Sequence, residues 1–196
     1  MAGKATDRRV QRTRQLLHRA LLSLIRERGF EALSVQDIID RADVGRATFY
    51  AHFDNKEDLL VSGIDGLRTA LKEGQRRALT QGARAEDRVF AFSRELFEHV
   101  DAHRDVFQAM VGKRSGAVIR QMFHKMLLDL VREDVKTMAP RAEARSTTGE
   151  AAAQFIAGGL FGLVIWWVDA PKRLSVEDVE EAFKRLALPA LGASLR

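Results

Sequence analysis

Hydrophobic residues recur at steps of three and four along most of the chain, and no stretch alternates regularly between apolar and polar positions. Val35, Ile38, Ile39 and Ala42 give the clearest example, because this spacing places them on one side of a short helix. The pattern predicts an all-α protein of about nine helices. In chain order, we expect helices at 12–28, 35–42, 46–53, 56–79, 86–103, 105–111, 115–138, 151–168 and 176–190.

The stretch 34–60 contains two short predicted helices separated by a glycine-containing turn. On a helical wheel, Phe49 and Phe53 point toward the core, whereas Ala47 and Ala51 lie on the opposite side. A solvated face usually carries charge, so a ridge of small residues suits a helix that approaches the floor of a DNA groove. This arrangement favours a helix-turn-helix whose second helix enters the major groove.

Polar side chains surround this ridge and could contact the DNA backbone. Tyr50, His52 and Lys56 can donate hydrogen bonds to phosphates, and the helix starts at Ser34 and Asn55 present backbone N–H groups. The alternative interpretation is that Tyr50 and His52 are ordinary surface residues, and the spacing alone leaves both open.

The composition is that of an ordinary globular protein, with 196 residues, 46% of them hydrophobic and 30% charged. The absence of cysteine excludes disulfides and thiolate chemistry and suits a cytoplasmic location. The formal net charge is +5, and most of the excess lies within residues 1–14, where five cations face a single aspartate. We expect 1–11 to form a basic, flexible arm, either solvated or in contact with an anionic partner.

The segment 151–168 carries a single polar side chain and reaches the length threshold of a membrane span. Its alanines and glycines and the flanking Glu150 and Asp169 favour a buried helix instead, so we expect no membrane contact. The close-approach spacing of Gly158 and Gly162 indicates that this helix packs at a subunit interface.

Apolar residues of the last predicted helix alternate between steps of three and four, which is typical of a helix that pairs with another helix. We therefore predict a dimer interface on the last two helices. Its expected residues are Gly158, Gly162, Val176, Val179, Phe183 and Leu186.

Large, adaptable side chains on the middle helices could line a cavity for a small hydrophobic effector. The alternative is that they simply form the core, which is the more common role of Met and Phe at helical spacing. The candidate ligand-binding residues are Phe97, Phe107, Met110, Met122, Phe123, Met126 and Trp166.

Glu95, His99 and His103 lie at steps of four on one helix face, and His124 lies on another helix. Nitrogen and oxygen ligands in such a row could bind a metal ion. A hydrated face or the polar edge of a pocket is the more common meaning, so we assign no metal site and keep metal sensing as an alternative.

Motifs of the common enzyme classes are missing from the sequence. There is no G-x-S-x-G, no H-E-x-x-H and no cysteine nucleophile, and Gly112-Lys113 precedes Arg114 rather than the serine or threonine of a phosphate-binding loop. We therefore expect neither enzymatic activity nor a cofactor.

The chain resembles the TetR/AcrR family of bacterial transcriptional regulators. The resemblance is carried by Gly45-Arg-Ala-Thr-Phe-Tyr-Ala-His-Phe-Asp-Asn-Lys-Glu-Asp-Leu-Leu60, which is similar to the recognition helix of that family and the start of its fourth helix. Residues 34–44 and 12–30 fit the second and first helices. Beyond residue 60, only the length and the helical plan are similar.

This resemblance implies an N-terminal three-helix DNA-binding domain at 12–55, after the arm at 1–11, and a helical ligand-binding and dimerisation domain at 56–196. It implies a dimeric repressor that leaves a palindromic operator when a small molecule binds. A helical dimer that does not bind DNA, or a metal-responsive regulator that uses Glu95, His99 and His103, is the alternative.

The same resemblance assigns roles to individual residues of the DNA-binding domain. It places Arg46, Ala47, Thr48 and Ala51 at base edges, and it places Ser34, Gln36, Tyr50, His52 and Lys56 at phosphates. It also implies that the last two helices of each subunit form a four-helix bundle.

Overall fold

The computed structural model describes residues 2–80, 89–111, 117–138, 147–170 and 174–194. This part of the chain forms nine α-helices and contains no strand, which confirms the predicted fold class. The predicted helix starts at 86–88 and 115–116 lie outside the described residues. The helices are α1 (Ala2–Arg28), α2 (Val35–Ala42), α3 (Arg46–Tyr50), α4 (Lys56–Thr80), α5 (Phe92–Ala102), α6 (Arg104–Val111), α7 (Ala117–Met138), α8 (Thr147–Asp169) and α9 (Val176–Ser194).

Helix α1 begins much earlier than the sequence pattern indicated. It starts at Ala2 rather than at residue 12, so α1 includes residues 2–11, which we had assigned to the basic arm. The segment is rich in arginine and contains no proline, so nothing in it opposes helix formation strongly enough to stop α1. The other end of α1 is where we expected it, because Gly29 adopts the left-handed conformation (φ +75°) that ends many helices.

Local side-chain hydrogen bonds fix the two short helices that follow. The Ser34 hydroxyl accepts a hydrogen bond from the backbone N–H of Asp37 (3.2 Å), and the Asp37 carboxylate accepts one from the Ser34 N–H (2.9 Å). Asp43, in the turn after α2, adopts the left-handed conformation (φ +51°). Gly45 is extended and forms the N-cap of α3. Helix α3 ends at Tyr50, before the predicted end at residue 53.

Two hydrophobic clusters form the core. One lies among α4 to α9, called the regulatory helices because the resemblance assigns them to ligand binding and dimerisation, and the other joins α1, α2 and α3 to the start of α4. The second cluster also contains Val106, Met110 and Ile119 from helices α6 and α7. An ion pair between Arg26 Nε and Asp105 Oδ2 (2.6 Å) joins α1 to α6 at the same place. Helix α1, on which α2 and α3 pack, therefore joins the helix-turn-helix to α6 and α7.

Helix α8 is the most apolar element of the fold. It is long and apolar enough to cross a membrane by length and composition, but 44% of its most apolar window is buried inside the protein. Its C-terminal end is tied to α6, since Arg104 donates to the Trp167 carbonyl and Gln108 Nε2 donates to the Val168 carbonyl (2.9 Å). These contacts identify α8 as a core helix that also carries an exposed face.

A buried carboxyl group, Asp134 on α7, links three segments of the regulatory core. It accepts hydrogen bonds from Gln75 Nε2 on α4 (3.0 Å) and from the backbone N–H of Phe90 (3.0 Å). Phe90 is fully buried and adopts a left-handed conformation (φ +56°), which is unusual for a residue other than glycine. Burial raises the pKa of Asp134 to about 7, although both hydrogen bonds act in the opposite direction.

The raised pKa of Asp134 predicts a pH dependence of stability. Between pH 4 and 7 the folded chain retains a proton at Asp134 that the unfolded chain has lost, so the free energy of unfolding should fall as the pH rises. The slope is at most about 1.4 kcal/mol per pH unit. Urea unfolding of the wild type and of Asp134→Asn would measure this. We expect the free energy of unfolding of the wild type, minus that of Asp134→Asn, to fall as the pH rises through this window and to level off above pH 7.

His99 makes the free energy of unfolding depend on pH in the opposite sense, because burial and the neighbouring His103 lower the pKa of His99 to about 4. The stability that neutral His99 contributes is fully present above the pKa of the unfolded chain, and it is lost as the pH falls toward the lowered pKa of the folded chain. It is common to both proteins, so it cancels in the difference. A difference between wild type and Asp134→Asn that does not change with pH would contradict the assignment to Asp134.

Candidate nucleic-acid interface and effector cavity

Helix α3 presents the face that the helical wheel predicted. Phe49 is fully buried and Phe53 is 3% exposed, and their rings lie 6.0 Å apart, so they anchor this segment to the core. Ala47 and Ala51 are exposed on the other side, and Thr48 is half-buried at the flank. The outward surface is thus an alanine ridge with no bulky side chain on it, which lets a DNA backbone or base edge come close to the helix.

Arg46 and Tyr50 form one polar edge of this surface. The Arg46 guanidinium carbon lies 5.6 Å from the centre of the Tyr50 ring, and the Tyr50 ring packs edge-on against Phe49 at 5.4 Å. Tyr50 is nevertheless 46% exposed. The stacking orders the arginine beside the alanine ridge while leaving both polar ends accessible to DNA.

The start of α2 is ordered by its own side chains. The Ser34 hydroxyl donates to Asp37 Oδ2 (2.5 Å), and Gln36 Nε2 donates to Asp40 Oδ1 (2.7 Å). Both Ser34 and Gln36 are exposed, so they can reach a phosphate, but they would first have to exchange these intramolecular hydrogen bonds. Their predicted backbone role stays a prediction.

Lys56 differs from the predicted phosphate contact. Its ammonium donates to the carbonyl oxygens of Leu33 (2.8 Å), Phe30 (3.1 Å) and Glu31 (3.4 Å), and it lies 4.7 Å from the Phe30 ring centre. These carbonyls use all three N–H donors of the side chain. In this structure Lys56 holds the α1–α2 loop, and its predicted phosphate contact would require the ammonium to exchange these carbonyls for a phosphate. His52 is half-buried beside Phe53, with 6.3 Å between ring centres.

Two ion pairs between α1 and α2, which the sequence pattern did not predict, position the helix-turn-helix. Arg41 binds Glu27 through two hydrogen bonds of 2.6 and 2.7 Å, and these bonds hold the pKa of the Glu27 carboxyl at about 2. Arg28 pairs with Asp37 at 3.2 Å. Both pairs join residues on different helices, so no helical periodicity could reveal them.

A cavity of about 320 Å³ lies between α1, the first half of α4 and helices α5, α6 and α7. Three of the predicted ligand-binding residues, Phe107, Met110 and Phe123, line it. Its remaining walls come from α1, α4, α5, α6, α7 and the residue between α5 and α6. They are His18, Leu21, Leu22, Leu60, Ser62, Gly63, Ile64, Gly66, Leu67, His99, His103, Val106 and Ile119.

The other four predicted ligand-binding residues lie elsewhere. Phe97 is fully buried against Trp167, with ring centres 5.6 Å apart, and Met126 is buried in the regulatory core. Met122 is half-buried on α7 but does not line the cavity, and Trp166 is 54% exposed on α8. Apolar character marked all four, but it could not indicate which neighbour each side chain faces.

The histidine row does not form a metal site. Glu95 Oε1 accepts a hydrogen bond from Arg77 on α4 (2.7 Å), so its carboxylate pairs with this arginine and not with the histidines. His99 and His103 pack edge-to-face with ring centres 4.6 Å apart, and His124 packs against Phe161 instead. Within the described ranges, no group of three His, Cys, Asp or Glu side chains could hold a metal ion.

Helices α8 and α9 expose an apolar surface that the protomer does not cover. Phe155 is 70% exposed, Leu186 is 71% exposed, and Gly162 lies exposed on the same face of α8 as Trp166. A Cβ atom added at Gly158 or Gly162 would meet nothing within 4 Å among the described atoms. These glycines therefore leave room for a neighbouring helix.

Two predicted interface residues are buried inside the protomer. Val179 is fully buried and Phe183 is 3% exposed, with the Phe183 ring 5.3 Å from that of Phe90. Their spacing along α9 correctly indicated a packed face, but that face packs on the same protomer. Val176 is half-buried, and Leu186 remains the exposed candidate on α9.

Comparisons with known proteins agree with this geometry. Residues 17–62 match the family model described as bacterial regulatory proteins of the tetR family, and residues 87–188 match a model described as a transcriptional regulator C-terminal region. The uncharacterized HTH-type transcriptional regulator YxbF of Bacillus subtilis (strain 168) is 43% identical over 62 residues, which span 31% of this chain and 16% of that relative.

Solved structures extend the similarity to nearly the whole chain. A putative TetR-family regulator from Syntrophomonas wolfei is 20% identical, with a TM-score of 0.77, and the alignment covers 92% of this chain and 95% of that one. FadR from Thermus thermophilus, a TetR-family repressor solved with lauroyl-CoA, is 25% identical with a TM-score of 0.65, covering 90% and 94%. The shared architecture includes both the helix-turn-helix and the regulatory helices.

Proposed function

The chain belongs to the TetR family of DNA-binding transcriptional regulators, and from this premise we propose that it is a dimeric repressor released from a palindromic operator by a small molecule. We also propose that the protein acts in the cytoplasm, where bacterial DNA is located. The observation that carries the proposal is the exposed alanine ridge of α3 beside Arg46 and Tyr50.

Each subunit would place α3 in the major groove. Ala47 and Ala51 allow close approach, and the methyl groups of Ala47, Ala51 and Thr48 can contact thymine methyl groups. Arg46 at the start of the helix can donate two hydrogen bonds to a guanine. Tyr50, together with Ser34 and Gln36 at the start of α2, would fix the register on the phosphates.

A homodimer would supply the second copy of this surface. The exposed strip of α8 around Gly158 and Gly162, with Leu186 of α9, is the face that a partner would cover. A two-fold dimer of helix-turn-helix units binds half-sites whose centres lie about 34–36 Å apart. We therefore expect an operator with inverted-repeat symmetry.

Helix α6 offers a mechanical link between effector and DNA. It lines the cavity with Val106, Phe107 and Met110, and its Asp105 pairs with Arg26 of α1. Its Arg104 also holds the end of α8. A ligand that pushes α6 would shift α1, and with α1 the whole helix-turn-helix, changing the spacing of the two recognition helices. The similarity to FadR, a repressor solved in complex with lauroyl-CoA, supports a small-molecule effector for this chain.

The roles of Arg46 and Tyr50 can be separated by mutation. We expect Arg46→Ala to reduce discrimination between the selected operator and random duplex by about thirtyfold or more, because it removes a base contact of about 1–3 kcal/mol in each of the two half-sites. Tyr50→Phe keeps the ring packing on Phe49 but removes the hydroxyl, so it should weaken binding to the operator and to the random duplex by the same factor. Fluorescence anisotropy titrations at matched salt concentration would measure both effects.

Arg46→Lys is the matched control, since it keeps the charge but cannot form the two-pronged hydrogen bond. It should lose discrimination while retaining most of the affinity for random DNA. Equal losses on both duplexes in Arg46→Ala would contradict the base-reading role of this arginine.

A further inference from the structure

The interdomain cavity has one wall made by the DNA-binding half of the chain. His18, Leu21 and Leu22 of α1 line it, opposite Phe107 of α6 and Phe123 of α7. A ligand in this cavity would therefore touch the helix that carries the helix-turn-helix, in addition to the regulatory helices.

The walls are almost entirely apolar, and their polar groups are neutral or weakly basic. The described residues that line the cavity include no lysine, arginine, aspartate or glutamate. Burial and the neighbouring His103 lower the pKa of His99 to about 4, so His99 is neutral at pH 7. A buried carboxylate or phosphate would find no fixed positive charge here and would lose its hydration without compensation.

Two of the polar side chains already satisfy each other. The Ser62 hydroxyl donates to the Leu59 carbonyl (3.0 Å) and lies 2.9 Å from His18 Nε2. When the hydroxyl proton is donated to Leu59, His18 Nε2 is the donor to Ser62. The polar atoms that can then pair with a ligand are those of the His99–His103 pair and Nδ1 of His18.

The His99–His103 pair has unused hydrogen-bonding capacity. Nδ1 of His103 is buried and has no hydrogen-bond partner among the described atoms. A neutral imidazole has one donor and one acceptor nitrogen, and a hydroxyl group can pair with either because it both donates and accepts. The Phe107 ring lies 6.1 Å from His99 and 5.4 Å from Phe123, which gives the same region an aromatic wall.

We propose that this cavity binds a small, uncharged aromatic alcohol, with its ring between Phe107, Phe123 and the α1 wall and its hydroxyl on the His99–His103 pair. At about 320 Å³ the space is at the small end of ligand pockets. The ligand would transmit its presence directly to α1 through Leu22. This inference rests on the proposed function only for its consequence on DNA, and binding itself can be tested without DNA.

The test uses the full chain and three matched probes, namely naphthol, naphthoate and naphthalene, with affinities measured by isothermal titration calorimetry at pH 7. Naphthol should bind about fivefold to tenfold more tightly than naphthalene, because it adds one hydrogen bond. Naphthoate should bind at least about tenfold more weakly than naphthol, since its carboxylate has no cationic partner. Naphthoate binding as tightly as naphthol would overturn the proposal.

Cavity-filling variants test the position of the ligand. Leu22→Phe from α1 and Gly66→Leu from α4 should each weaken naphthol binding at least about tenfold, and a Cβ atom added at Gly66 meets nothing within 4 Å. Leu16→Phe is the control, because Leu16 is also half-buried on α1 but does not line the cavity. Unchanged binding in Leu22→Phe would overturn the contact with α1.

The histidine contact has its own readout. In a His99→Phe, His103→Phe double variant, naphthol should fall to the affinity of naphthalene, while naphthalene binding shows that the cavity is intact. A retained preference for naphthol would overturn the hydroxyl site. A chain that binds naphthol in this way but binds no duplex would contradict the proposed repressor, whereas a chain that binds an operator but not naphthol would contradict only this inference.

Discussion

Ala47→Glu should strongly weaken operator binding while leaving the fold intact. The new carboxylate would stand on the exposed ridge of α3, where it meets the floor of the groove and the negative potential of the phosphates. The change occurs once in each half-site, and a cost of about 1–3 kcal/mol per half-site gives a loss of about thirtyfold to ten-thousandfold. The loss should appear as a shift in the midpoint of an anisotropy titration with the selected operator.

The fold should tolerate this glutamate because Ala47 lies in the first turn of α3, where a negative charge is favourable. Ala102→Glu adds the same charge at an exposed position at the end of α5 and serves as the control. We expect Ala102→Glu to bind nearly as the wild type does. Operator affinity retained in Ala47→Glu, with unchanged thermal stability, would show that α3 does not enter the groove.

Gly162→Leu should separate the subunits. Within the protomer, a Cβ atom at this position meets nothing within 4 Å among the described atoms, and leucine favours a helix more than glycine does. The protomer should therefore stay folded, and any effect must come from a second chain. Overpacking costs of about 1–3 kcal/mol on each side of a two-fold interface predict a dimer dissociation constant raised about thirtyfold or more.

Analytical ultracentrifugation over a range of concentrations would measure this effect. Ala70→Leu, an equally exposed position on α4, adds a leucine away from the α8 surface and should leave the dimer unchanged. If Gly162→Leu and the wild type sedimented identically as dimers, the interface would lie on another face of the molecule.

Local features of the fold could be predicted because they depend on residues that are close in sequence. The helix start at Ser34, the end of α1 at Gly29 and the inward direction of Phe49 all follow from spacing within one or two helical turns. The start of α1 was missed because the arm has high helix propensity and its charge suggested a tail instead.

Features that depend on contacts between helices could not be predicted. Lys56 is a surface cation in the sequence, and only the folded loop shows three carbonyl oxygens around its ammonium. Val179 and Phe183 showed a packing face, but periodicity does not distinguish a core of the same protomer from that of a partner. The wall that α1 contributes to the cavity was hidden for the same reason, because His18 and Leu22 lie far in sequence from Phe107.

The central claim is that two copies of the α3 surface read DNA as a symmetric pair. Selection of bound sequences from a random duplex library, followed by titration at several salt concentrations, tests it most directly. We predict an enriched inverted repeat with half-site centres about 34–36 Å apart and an affinity that falls steeply as salt rises. No enriched sequence, or a single half-site bound without salt dependence, would contradict the account.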